Sequence, residues 1–116
     1  MVVAKNNSAQ IVWSHSGSPG KLKYTYATPS GWHTFLNVPG TTSLDPYGFD
    51  VTTTGVAHVA SGSSTISDEF RSGSNWGSAI ITAGADANAI AVRRGLSGRI
   101  VVAWTSSSGG VWVSST

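Results

Sequence analysis

The chain has 116 residues, no Cys, seven basic and five acidic side chains, and 45 positions that are Gly, Ser or Thr. A single Glu excludes a coiled coil or long-helix protein, and 40% hydrophobic content at a net charge of +2 excludes charge-driven disorder. The lack of Cys excludes a disulfide framework and Cys-based zinc, and an excess of two charges supplies no basic patch for double-stranded nucleic acid. No apolar run reaches the ~18 residues of a membrane span, and no apolar stretch follows Lys5 as a secretory signal would require. The length fits one domain. Low charge with abundant Ser, Thr, Gly and Trp suits an extracellular or virion-associated β-protein.

In chain order, short runs rich in β-branched and aromatic residues, bounded by Gly, Ser, Asn or Pro, predict strands at Val2–Lys5, Ala9–His15, Lys21–Thr28 and Thr34–Val38. Further strands are predicted at Gly48–Thr52, Val56–Ala60, Ser64–Arg71 and Ala79–Thr82, then at Ala89–Arg93, Arg99–Thr105 and Val111–Ser115. Ala79–Arg94 is the best helix candidate, but Gly84 and the β-branched Ile80, Ile81, Thr82, Ile90 and Val92 argue for pleated structure. Eleven short strands with frequent turn signals imply an all-β sandwich, barrel or propeller.

The strands repeat with a period near 44. Tyr26–Trp32 and Phe70–Trp76 share the form aromatic-x-(Ser/Thr)-x-Ser-x-Trp, and Gly40 and Gly84 follow at the same offset. Pro46–Val51 corresponds to Ile90–Gly95, Val56–Ala60 to Ile100–Trp104, and Trp112–Thr116 to Tyr24–Thr28. Repeats of four short strands, at approximately 1–44, 45–88 and an incomplete 89–116, predict antiparallel four-stranded blades of a partial β-propeller. The alternative is a β-sandwich of about nine to eleven strands.

The turn before each repeated Trp resembles a degraded Asp-box, the Ser-x-Asp-x-Gly-x-Thr-Trp motif of BNR repeats in sialidase-type propellers. Thr28-Pro-Ser30-Gly-Trp32 and Ser72-Gly-Ser74-Asn-Trp76 keep the leading hydroxyl and the Trp, with Ser where the family has Asp. The resemblance implies a propeller without sialidase chemistry. Arg71, Arg93, Arg94 and Arg99 are present, but no counterpart exists for that family's Tyr–Glu nucleophile pair.

Three blades leave an apolar face open at each end, so the chain is expected to self-associate, two copies giving six blades. The expected function is a non-enzymatic, lectin-like carbohydrate-binding module. The alternative is a structural or assembly protein, or a propeller fragment, that self-assembles without a small ligand. Candidate ligand residues are Trp32, Trp76, Trp104, Trp112, Arg71 and Asn75, because aromatic rings stack on sugar C–H faces and polar groups bind hydroxyls. The competing reading makes Trp13, Trp32, Trp76, Trp104 and Trp112 core or interface residues. His15, His33 and His58 lack metal-ligand spacing, no nucleophile elbow or phosphate loop occurs, and no catalytic residue, metal or cofactor is expected. Ser16–Gly20, Ser61–Ser64 and Ser106–Gly110 read as hairpin turns, Arg93–Arg94 as a solvated strand end, and Lys21 and Lys23 as charges on an exposed edge.

Overall fold

The computed structural model describes residues 2–3, 9–15, 17 and 20–116. Among these the chain is all-β. Its strands are β1 (Val2–Val3), β2 (Ala9–Ser14), β3 (Leu22–Thr28), β4 (Gly31–Trp32), β5 (Leu36–Asn37) and β6 (Tyr47–Val51). They continue as β7 (Ala57–Ser61), β8 (Thr65–Ser72), β9 (Asn75–Ala83), β10 (Ala87–Arg94), β11 (Ile100–Ser106) and β12 (Val111–Ser115). One 3-10 turn, Leu96–Gly98, joins β10 to β11. Strand period is visible in β11, where Ile100, Val102, Trp104 and Ser106 are buried and Val101 and Thr105 exposed. No helix among the described residues is long and apolar enough to cross a membrane.

Consecutive strands pair antiparallel into three separate sheets, none closed into a barrel. The first holds β1-β2-β3, with β4 and β5 both on β3; the second is β6-β7-β8-β9; the third is β10-β11-β12. Short turns make such meanders the simplest antiparallel arrangement. The β8–β9 turn has Gly73 at φ +62 between the paired Ser72 and Asn75, a backbone state that favours glycine.

The sheets stack in chain order. Between the first and second lie Leu22, Tyr24, Val38, Ala57 and Val59, joined by half-buried Val12, Tyr26, Leu36, Tyr47, Phe49 and Trp76. Between the second and third lie Ala60, Ile66, Ala85, Val92, Ile100, Val102 and Trp104. The middle sheet is therefore buried on both faces, which explains β7, where four of the five residues are buried.

A common frame follows from the pairs that flank the loop between the first two strands of each sheet. These are Val3↔Ala9, Val51↔Ala57 and Arg94↔Ile100, and five residues separate each pair. In this frame the face with Ala57 and Val59 is the front of the second sheet and the face with Ala60 is its back. At both junctions the back of one sheet meets the front of the next. Among the described residues, the front of the first sheet (Ile11, Trp13) and the back of the third (Val101, Ala103) face no other sheet.

The linkers between sheets repeat as well. Gly40 and Gly84 both sit at φ +69, and each is followed by a segment pinned to the preceding sheet: Ser43 N–H donates to Gly20 O and Ala85 N–H to Ser64 O, each at 2.8 Å. The first strands lie against one another, β1 on β6 and β6 on β10. Gly48 makes the second approach possible, since a Cβ there would stand 2.9 Å from Val92 N. Asp50 locks the same junction: its Oδ2 accepts from Arg94 N–H at 2.7 Å, its Oδ1 from Val51 N–H at 2.8 Å, and Arg94 Nη1 donates to Val51 O at 3.2 Å.

Two readings differ from the structure. Lys23, expected on an exposed edge, is 4% exposed. The β3–β5 segment folds over it, so that its Nζ donates to Asn37 Oδ1 and lies 5.4 Å from the Phe35 ring centre. The strand predicted at Ala79–Thr82 starts at Asn75, because the tight β8–β9 turn lets pairing begin at once. The Arg93–Arg94 strand end is exposed as expected, and Arg94 also ties the third sheet to the second through Asp50 and Val51. Ser16, Ser18 and Pro19 of the turn predicted at Ser16–Gly20, and Ala4 and Lys5 of the first predicted strand, lie outside the described residues.

Candidate functional site

The six residues singled out from sequence fall in three places. Arg71, Trp76 and Asn75 belong to the β8–β9 hairpin at the first junction; Trp104 and Trp112 belong to the second; Trp32 stands alone on the first sheet.

Arg71 and Trp76 are cross-strand partners on the front of the second sheet. Opposite them, the back of the first sheet presents Gln10, Tyr24 and Tyr26, because Gln10↔Tyr26 and Val12↔Tyr24 pair with side chains on one face. The Arg71 guanidinium carbon lies 5.2 Å from both tyrosine ring centres and 5.9 Å from that of Trp76. Trp76 meets Tyr24 edge-on at 5.5 Å, and His33 stacks on Tyr26 at 4.6 Å. The π faces stabilise the cation without neutralising it.

Hydrogen bonds around the cluster are incomplete in an informative way. Tyr24 Oη donates to Gln10 Oε1 at 2.8 Å, and Gln10 Nε2 donates to Gly55 O at 3.4 Å. Arg71 is only 8% exposed, yet its Nε and Nη1 are buried without a partner. A buried donor left unpaired costs about 1–3 kcal/mol, more when charged. Burial pushes the Tyr24 phenol above its usual range, against the pull of the Arg71 charge. The cluster borders a cavity of about 240 Å³, lined by Gln10, Tyr24, Tyr26, Gly55, Arg71 and Gly73. Asn75 is exposed at the same hairpin, beyond the cavity wall.

Trp104 and Trp112 pair across β11 and β12 and frame a second groove of about 190 Å³ with Thr82, Ala85, Ser106 and Ser108. It lies at the opposite end of the strands, by the β11–β12 turn, whereas the Arg71 cavity lies by the β6–β7 and β8–β9 turns. Trp104 is buried, as the core reading required, but Trp112 is 56% exposed. Trp32 is 52% exposed, so it is not core within this chain, although Trp76 at the equivalent position is half-buried.

Sequence reading missed Gln10, Tyr24 and Tyr26. Alternation along β3 could have placed Tyr24 and Tyr26 on one face, but their meeting with Arg71 is a contact between different sheets.

His58 Nδ1 lies 2.8 Å from Asp68 Oδ2 on the back of the second sheet, and among the described residues no group of three metal-ligating side chains converges. Comparisons with protein-family models, with curated proteins and with solved structures find no match.

Proposed function

We propose that the chain is a non-enzymatic binding module whose three sheets are consecutive blades of a β-propeller, and that it takes carbohydrate in the cavity between the first two. The observation that carries the binding reading is Arg71: a buried cation with two unused donors, walled by aromatic rings, at an open cavity. A sugar matches this chemistry. Its C–H faces stack on Tyr24 or Tyr26, which line the cavity, and its hydroxyl oxygens accept charge-assisted bonds from the guanidinium, aided by Gln10. About 240 Å³ suits one sugar ring better than an extended chain.

Support for blades is threefold. The sheets are serial meanders, back meets front at both junctions, and the first strands lie closest together, as in sheets fanning from a central axis. A middle sheet covered on both faces favours blades over a two-layer sandwich. The resemblance of the β3–β4 and β8–β9 turns to Asp-boxes points the same way.

An array of immobilised glycans, followed by titration with free monosaccharides, tests the binding reading. The expected result is binding that Arg71→Met abolishes while the folded β spectrum persists. Binding unaffected by Arg71→Met, or no binding at any glycan density, would contradict it. The second reading, an assembly protein without a small ligand, is favoured by the apolar end faces that no sheet covers among the described residues.

A further inference from the structure

The first sheet's front and the third sheet's back are the two sheet faces that no other sheet covers among the described residues, and they are unlike faces. In the common frame, Ala9, Ala57 and Ile100 are equivalent, so Val12, Ala60 and Ala103 are too. Their cross-strand partners Tyr24, Asp68 and Val113 then occupy one position on the back of each sheet. By the same frame Ala27 is equivalent to Arg71, so Trp32, paired to Ala27, takes the position of Trp76, paired to Arg71, on the front.

At the first junction these two positions meet: Trp76 packs edge-on against Tyr24 of the preceding sheet. Trp32 has the same place on the front of the first sheet but no preceding sheet among the described residues, and is 52% exposed; farther along the same sheet Phe35 is 54% exposed over half-buried Trp13. The third sheet has the complementary defect. Val111 and Val113 on its back are 71% and 64% exposed, and with Val101, Ala103, Ala89 and Ala91 they form one largely apolar sheet face, edged by Arg93, Thr105 and Ser115. Its centre is a shallow apolar hollow of about 180 Å³ between β10, β11 and β12. Contiguous apolar faces of this kind mark interfaces.

We infer that the back of the third sheet of one copy docks on the front of the first sheet of a second copy, with Trp32 seated on the partner copy's β12 around Val113 as Trp76 is seated on Tyr24. The occupant is a second copy because only a front face continues the relation found at both internal junctions. The contact is head to tail: two copies close a ring through two identical contacts, with no uncovered face left. The inference shares the blade reading above but not the carbohydrate reading.

The chain has no cysteine, so single thiols report the contact directly. Trp32→Cys and Val113→Cys chains, mixed and treated with a short bis-maleimide, are expected to give a covalent dimer that neither variant gives alone. Light scattering at micromolar concentration is expected to give twice the 11.9 kDa chain mass, reduced to the single mass by Val113→Lys. Val113 is exposed, so that variant retains the fold of one chain, and its β spectrum verifies this. A wild-type monomer, or crosslinks between two Val113→Cys chains in place of the mixed pair, would overturn the inference. Glycan titration of the Val113→Lys monomer separates the two readings, since the Arg71 cavity lies within one chain.

Discussion

Between the second and third sheets, Ala60 and Ile66 meet Val92, Ile100 and Val102, all essentially free of solvent, and Asp50 stitches the backbones together. Between the first and second sheets, Leu22, Val38, Ala57 and Val59 give way, toward the β8–β9 turn, to Tyr24, Tyr26, Trp76 and Arg71. One junction closes up its aliphatic side chains and ties Asp50 to Arg94 across it, although Asp68 Oδ1 on the same sheet face is buried without a partner. The other leaves a cation with unused donors beside a cavity. On the proposed carbohydrate reading, holding the stack together and meeting a ligand fall to two junctions that share one geometry. A protein that keeps a buried, unpaired charge sacrifices stability there, and such sites are where function concentrates.

Substitutions at the two junctions break or sharpen this contrast. The largest effect is expected at the closed one: Ile100→Ala, at a fully buried position, destabilises by about 2–5 kcal/mol in denaturant unfolding. Asp50→Ala strips the acceptor from two backbone N–H groups and costs about 1–3 kcal/mol by the same measurement. Arg71→Met behaves oppositely. Replacing a buried unpaired cation by an apolar side chain of similar length leaves stability unchanged within about 1 kcal/mol or raises it, while carbohydrate affinity falls at least about tenfold, equal to about 1.4 kcal/mol. A large loss of stability in Arg71→Met would make Arg71 a structural residue and erase the contrast.

The smallest effect is a pH slope. Burial raises the Glu69 carboxyl above its usual range; the Ser78 hydroxyl, donating at 2.9 Å, opposes this, and the Asp68 charge adds to it. A raised carboxyl holds its proton more tightly in the folded chain than in the unfolded one. Its stabilising contribution is therefore full at low pH and is lost as pH climbs from about 4, the unfolded range, through the folded value. Glu69→Gln removes that slope, so thermal unfolding curves of the two forms should converge at acid pH and separate toward neutrality, with the variant more stable.

Much of the strand pattern was legible because its signals are local. Runs such as Ile100–Thr105 and Leu22–Thr28 are β-branched or aromatic, and Gly and Ser punctuate them. The 44-residue relation of Gly40 to Gly84 carries through to an identical backbone φ. Burial of individual side chains was less legible. Trp32 and Trp76 hold the same position in the same kind of hairpin, yet only Trp76 has a neighbouring sheet in front of it. Lys23 alternates like an edge residue, but its burial depends on Phe35 folding back across it. Arg71 was singled out as a polar neighbour of Trp76; its meaning comes from Tyr24 and Tyr26, 45 or more residues earlier, which no local pattern brings to it.

Five tryptophans give five indole N–H signals in a proton–nitrogen correlation spectrum, with Trp76 at the first junction and Trp104 and Trp112 at the second. Saturation with the strongest-binding monosaccharide from the array tests the division of labour directly. The Trp76 indole signal is expected to shift, with those of Trp104 and Trp112 unmoved. Shifts confined to Trp104 and Trp112, or no shift in any indole signal, would contradict the assignment of ligand binding to the first junction.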